Sequence, residues 1–233
     1  MKNKKVLLSL TAVLVIIEAM CGYLIFSGSA FQVRFFSFLS IIFACAFCSI
    51  FIERSKDYAF TQIALICTVI ADYFLVWCVP QIILPAMCFF LFTQISYTVR
   101  IYFSFSNNKI KTVQTILHSV FSPVIALITF IVLGDNTDAL SIVSMIYYVT
   151  LALNIVFAFL QFKKNYLLAI GLLLFICCDT VIGLDMLKSY LPISPDALIY
   201  KIIYPGFNLA WAFYLPSQVI IATSLLPQRL KKT

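Results

Sequence analysis

The chain has 233 residues, of which 63% are hydrophobic and only 11% are charged, and its mean hydropathy is +1.06. In a soluble domain of this length, about a quarter of all residues would be charged. The formal net charge is +7, but binding to nucleic acid would require a basic face on a folded surface. Here the basic residues fall in short loops and tails between apolar runs. The composition therefore predicts a membrane protein and excludes a nucleic-acid-binding domain.

Eight apolar runs follow one another along the chain, each close to the ~20 residues that a helix needs to cross a bilayer. Only helices satisfy their own backbone hydrogen bonds in lipid. The predicted spans are Val6–Ile25, Phe36–Ile52, Tyr58–Cys78, Ile82–Tyr102, Ile116–Leu133, Leu140–Leu160, Tyr166–Leu187 and Tyr204–Leu226. The sequence thus predicts a single domain, residues 1–233, that is all-α: a polytopic membrane helix bundle with eight transmembrane helices.

The basic residues are divided unevenly between the two sides of this predicted bundle. With the N-terminus inside, the cytoplasmic segments hold Lys2, Lys4, Lys5, Arg54, Lys56, Arg100, Lys109, Lys111, Lys163, Lys164, Arg229, Lys231 and Lys232. The opposite side holds Arg34, Lys188 and Lys201. Because positive charge is retained in cytoplasmic loops, we predict that both termini are cytoplasmic. The protein would be a multi-pass protein of a bacterial inner membrane or a eukaryotic internal membrane.

The first thirty residues also fit a secretory signal, since they are Lys-rich, then apolar, then small. The apolar stretch is longer than a usual signal core and contains Glu18. We therefore favour a first helix that is retained.

The eight cysteines fall inside the predicted spans or at their edges, where cysteine behaves as a small apolar residue. Cys45 and Cys48 have the spacing of a metal pair, but no second pair lies in a loop and His118 is the only histidine. The sequence therefore predicts no metal site and no cofactor.

Three of the spans carry an acid: Glu18, Asp72 and Asp179. At ~1.5 Å per residue, each lies about 18–21 Å from the cytoplasmic face, in a hydrocarbon core of ~30 Å. A carboxylate at such a depth is costly and is a functional candidate by default. We expect the acids to meet in one cavity, with Asp185 near its mouth. Glu18 could instead be a structural partner of a neighbouring helix.

Polar side chains on two other helices are candidates to line this cavity, because residues three, four or seven apart share a helix side. They are Gln94 and Tyr97 on the fourth helix and Asn208, Trp211, Tyr214 and Gln218 on the eighth. Amide and hydroxyl side chains also hold membrane helices together. That structural role is the alternative for Gln94 and Asn208.

Four segments around these residues occur in the order and approximate spacing of a known family's motifs. The segments are Ile70–Leu75, Phe90–Tyr97, Gly171–Asp185 and Phe213–Gln218. They resemble the Gly-Asp-x-x-Leu, Phe-Leu-x-Gly-His-x-x-Tyr, Phe-x-x-Ser-Asp-x-x-Leu-Ala-x-Asn and Tyr-Tyr-x-Ala-Gln motifs of the YhhN family, the lysoplasmalogenases. The eight-helix layout of that family is similar as well.

The chain departs from the family pattern at four places. Ala71 stands for the usual glycine before the first aspartate, and Gln94 stands for a histidine. Asp185 stands for an asparagine, and Arg34-Phe35 for a Lys-Pro pair. Both aspartates and Gln218 are retained. The lost histidine bears on the substrate more than on the fold.

The resemblance implies cleavage of the vinyl-ether bond of lysoplasmalogens, which yields a fatty aldehyde and a glycerophospho-headgroup. Protonation of the outer alkene carbon leaves an oxocarbenium ion, water adds, and the hemiacetal collapses. As in glycoside hydrolysis, one carboxylic acid donates the proton and one carboxylate stabilises the cation and aligns water. Asp72 and Asp179 are the expected catalytic pair, without a cofactor. The expected partner is a lysophospholipid or another single-chain lipid, among the membrane lipids.

Two other functions fit the same residues. Intramembrane acids occur in proton-coupled carriers, so a small proton-coupled or lipid transporter is one alternative. Carrier sites often lie at broken helices in both halves of the chain, but only the eighth span, with Pro205-Gly206 and Pro216, is interrupted here. A non-catalytic lipid-binding relative is the other alternative, and Gln94 is the residue that favours it.

Overall fold

The computed structural model describes residues 4–50, 55–187, 190 and 206–227, and in these ranges the chain forms helices and no β-strand. The helices are α1 (Lys4–Ser27), α2 (Ala30–Ile50), α3 (Lys56–Asp72), α4 (Ile83–Ser104), α5 (Asn108–Leu133), α6 (Ala139–Leu160), α7 (Phe162–Leu187) and α8 (Leu209–Thr223). A π-helical turn, Tyr73–Trp77, follows α3, and a 3-10 turn, Gly134–Asn136, follows α5.

Seven of these helices, α1 to α7, are long and apolar enough to cross a membrane. The prediction of an all-α, multi-pass membrane bundle is therefore confirmed. The described part of α8 is apolar but has only 15 residues. The predicted eighth span began at Tyr204, which lies outside the described residues, as do the last two residues of the predicted second span.

Helix α5 is longer than predicted and begins eight residues before Ile116. The reason is local: the side chain of Asn107 accepts a hydrogen bond from the backbone N–H of Lys109 at 2.9 Å. Asparagine is among the best residues at this capping position. The predicted polar loop between the fourth and fifth helices is correspondingly short.

Six of the described helices form a ring. In order around the ring, α2 packs on α3, α3 on α4, α4 on α6, α6 on α7, α7 on α8, and α8 returns to α2. Helix α1 packs on α2 and α8 from outside, and α5 packs on α6. Of the residues of α5, only Gln114 and Thr129 are buried in the described structure. The interior of the ring is therefore where polar side chains from several helices can meet.

The predicted orientation in the membrane can be tested with single cysteines. We expect Ser29→Cys to react with a membrane-impermeant thiol reagent added from outside, and Asn108→Cys not to react, because the basic residues favour the Asn108 side as cytoplasmic. Both positions are exposed. The measurement uses intact cells and a background in which the native cysteines are replaced. Labelling of Asn108→Cys alone would reverse the assigned orientation.

Candidate active site

Asp72 is the last residue of α3 and lies inside the ring. Its side chain is buried, and one carboxylate oxygen, Oδ2, accepts a hydrogen bond from the hydroxyl of Tyr214 on α8 at 2.6 Å. The five residues that follow form the π-helical turn Tyr73–Trp77. Such turns are rare and occur often at functional sites. The position of Asp72 is thus fixed both by the end of its own helix and by a side chain from another helix.

Asp179 lies in α7 and has an equivalent partner. Its Oδ2 accepts a hydrogen bond from the hydroxyl of Tyr147 on α6. Tyr147 is buried, and Asp179 is half-buried. Each aspartate is therefore oriented through its Oδ2 atom by a tyrosine from another helix.

The structure brings the two aspartate–tyrosine pairs together. Asp72 and Asp179 are close enough to interact electrostatically, and each tyrosine interacts with the charges of both aspartates. Phe90 and Phe175 connect the tyrosines: ring centroids are separated by 5.9 Å for Tyr147 and Phe90, 6.0 Å for Phe90 and Phe175, and 5.5 Å for Phe175 and Tyr214. This aromatic layer holds both tyrosines in place and makes the surroundings of the acids apolar.

Two other predicted lining residues, Tyr97 and Gln218, are buried in the same ring. The hydroxyl of Tyr97 and both amide atoms of Gln218 have no hydrogen-bond partner among the described residues. Trp211 is half-buried and packs nearly perpendicular to Tyr214, with ring centroids 5.2 Å apart. The role of these three side chains in lining a substrate cavity stays a prediction.

Gln94 is buried and takes part in a contact between helices. The amide nitrogen of Asn154 on α6 donates to the backbone carbonyl of Gln94 at 2.9 Å and to its Oε1 at 3.2 Å. The Nε2 group of Gln94 has no partner in the described part of the chain. The oxygen of Gln94 thus has a structural role, and its N–H₂ group remains available to a ligand.

The other three predicted residues have different surroundings. Asn208 is exposed and caps α8, since its side chain accepts from the N–H of Trp211 at 3.3 Å. Asp185 is half-buried in α7. Glu18 is buried in α1, outside the ring, and neither of its carboxylate oxygens has a hydrogen-bond partner among the described residues. The ionisable group with which Glu18 interacts is Cys21. Substrate contact by these three remains a prediction.

Two residues of the interior are missing from the predicted site. Tyr147 is one, and helical spacing gave no reason to prefer it over Tyr148. Arg100 is the other, since we counted it with charges in loops and tails. That placement is wrong: Arg100 is fully buried in α4, and its Nη1 donates to the hydroxyl of Ser224 at 2.9 Å. Its spacing of three from Tyr97 could have indicated this position.

Comparison with known proteins identifies the family of the chain. The family model of the YhhN family matches residues 30–225. The match begins at the first residue of α2 and includes all six helices of the ring, both aspartates and both tyrosines, whereas α1 with Glu18 lies before it. No curated protein and no solved structure matches the chain. Because the family match covers well over half of the sequence, the chain belongs to the YhhN family.

Proposed function

We propose that this protein is a membrane hydrolase that cleaves the vinyl-ether bond of a lysoplasmalogen. The observation that carries the proposal is the pairing of Asp72 and Asp179, each oriented by a tyrosine, within an apolar ring of helices. Vinyl-ether hydrolysis requires a proton donor and a carboxylate at one site, and this pair can supply both. Membership of the YhhN family supports the same reaction.

The reaction needs one protonated and one ionised aspartate. Two like charges repel strongly in an apolar interior, which favours a pair that holds one proton. The protonated carboxyl group transfers its proton to the outer alkene carbon, and the carboxylate stabilises the oxocarbenium ion that forms. Water then bonds to the cationic carbon and loses its proton to a carboxylate. Collapse of the hemiacetal breaks the bond to the glycerol oxygen, which takes up a proton, and releases the aldehyde.

Release of a fatty aldehyde by the purified protein tests this proposal. We expect aldehyde from lysoplasmenylcholine or lysoplasmenylethanolamine, and none from the saturated ether analogue, because the analogue has no alkene to protonate. The measurement is trapping of the aldehyde with time in detergent or lipid nanodiscs. Absence of aldehyde from every vinyl-ether lipid offered would remove the hydrolase assignment.

A non-catalytic lipid-binding relative is the second candidate. The observation that favours it is Gln94, whose oxygen is used by Asn154 at the position of the family's histidine. This candidate predicts binding of lysoplasmenyl lipids without aldehyde release. Proton-coupled uptake of a substrate into liposomes would instead identify the transporter considered above.

A further inference from the structure

Arg100 is a buried cation with incomplete hydrogen bonding. The guanidinium group is always protonated in proteins, and this one is 0% exposed. Its Nη1 donates to the neutral hydroxyl of Ser224, whereas its Nε and Nη2 groups have no partner among the described residues. Burial of a charge without a bonded counter-charge is costly. Asp57 interacts electrostatically with Arg100, but its described hydrogen bond, at 3.5 Å, is accepted from Ser104.

Further unpaired polar groups lie between Arg100 and the aspartates. Tyr97 and Gln94 precede Arg100 by three and six residues on α4, and Gln218 precedes Ser224 by six on α8. Helices α4 and α8 face each other across the ring. At one level Phe90 and Tyr214 both contact Phe175. At another level Arg100 donates a hydrogen bond to Ser224.

Between these levels, four polar atoms of buried side chains have no partner in the described part of the chain: Nε2 of Gln94, Oη of Tyr97, and Nε2 and Oε1 of Gln218. A buried polar group that nothing binds lowers the stability of the protein. All four atoms belong to α4 and α8 between the same two levels, and their shared lack of a partner indicates a polar ligand.

We propose that Arg100 and these three side chains bind the polar part of the substrate. Arg100 takes the phosphate of a single-chain phospholipid, Tyr97 donates to the same phosphate, and the amides of Gln94 and Gln218 bind the glycerol portion. The proposal rests on the proposed function in that it places the reacting bond at Asp72 and Asp179. It adds the residues that hold the phosphate, Arg100 above all, and the orientation of the lipid in the ring.

The dimensions agree with this assignment. Ten residues separate Tyr214 from Ser224 on α8, which is ~15 Å along a helix. In a lysoplasmalogen, seven bonds join the phosphorus to the alkene carbon that is protonated, or about 8 Å at the ~1.2 Å per bond of an extended chain. With one hydrogen bond of about 3 Å at each end, the length of this part of the lipid becomes roughly equal to the distance from Tyr214 to Ser224 along the helix. The phosphate can therefore reach Arg100 while the alkene reaches the aspartates.

Binding of lipids that cannot be cleaved tests the proposal separately from catalysis. The probes are a saturated ether lysophospholipid, the corresponding monoalkylglycerol without phosphate, and inorganic phosphate. We expect Arg100→Gln to weaken binding of the lysophospholipid about 10- to 100-fold, the range of a lost charge-assisted hydrogen bond, and to leave the monoalkylglycerol unaffected. The matched control is Arg34→Gln, a half-buried arginine in the first turn of α2, which should bind like the wild type.

Tyr97→Phe keeps the test valid even if Arg100→Gln does not fold. Since the hydroxyl of Tyr97 has no described protein partner, its removal should leave Tm unchanged or higher while weakening lysophospholipid binding several-fold. The proposal would be overturned if the Arg100→Gln protein or the Tyr97→Phe protein bound the lysophospholipid as tightly as the Arg34→Gln control does. Inorganic phosphate that binds as tightly as the lysophospholipid would also overturn it, because the site would then be one for free anions.

The two proposals fail differently. Phosphate-dependent binding without any aldehyde release would remove the hydrolase and retain the headgroup site. Cleavage with full rate and unchanged KM in Arg100→Gln would remove the headgroup site and retain the hydrolase.

Discussion

Replacement of Asp72 or of Asp179 by asparagine is expected to lower the rate of vinyl-ether cleavage about 10²–10⁴-fold, the usual contribution of a positioned acid–base group. Asparagine keeps the shape of the side chain, and its carbonyl oxygen can still accept the hydrogen bond from Tyr214 or Tyr147. It can neither donate a carboxylic proton nor carry a negative charge. The protein should therefore fold normally and lose the reaction.

The measurement is aldehyde release together with Tm for each variant. Glu18→Gln is the matched control, because Glu18 is as buried as Asp72 but lies outside the ring and before the family match. Its loss of rate should be smaller. Tyr214→Phe and Tyr147→Phe should also lose less than the asparagine variants, since they remove only the group that orients each carboxylate. Near-normal rates in both asparagine variants would disprove the two-aspartate mechanism.

Gly171→Leu is expected to disrupt the packing of α7 against α8. A Cβ atom at Gly171 would lie 2.5 Å from Cγ1 of Ile221 and 3.3 Å from two backbone atoms of α8. The hydroxyl of Ser217 also donates to the carbonyl of Gly171 at 2.8 Å, so the two helices cannot separate without losing this bond. Overpacking of this kind costs ~1–3 kcal/mol and occasionally more. Because α8 carries Tyr214, the displacement should also release Asp72 and lower activity.

Gly183→Leu is the control for this effect, since a Cβ atom at Gly183 would meet no atom of the described residues within 4 Å. Both substitutions place the same residue in α7, so a difference between them reports packing rather than helix propensity. We expect a clearly lower Tm for Gly171→Leu only, with Gly171→Ala in between. Equal Tm values for the two leucine variants would show that α7 and α8 tolerate separation.

The sequence by itself determined the helices and the candidate acids. A helix in lipid must satisfy its own backbone, so an apolar run of sufficient length indicates a span without knowledge of its neighbours. The cost of a carboxylate in hydrocarbon is likewise a property of one position. The helix rise placed Asp72 and Asp179 at one depth together with Glu18, and the resemblance to the family motifs indicated the two aspartates as the pair.

Only the tertiary structure decided which way each side chain faces and what it meets. Lipid-facing and interior residues of a membrane bundle are similarly apolar, so the periodic pattern that identifies the buried face of a soluble helix is weak here. For this reason Glu18 was grouped with the aspartates, although α1 packs outside the ring, and Arg100 was assigned to a loop, although it lies in the interior. Which tyrosine binds each aspartate depends on which helices come together inside the ring, and that is set by the packing of all six of its helices.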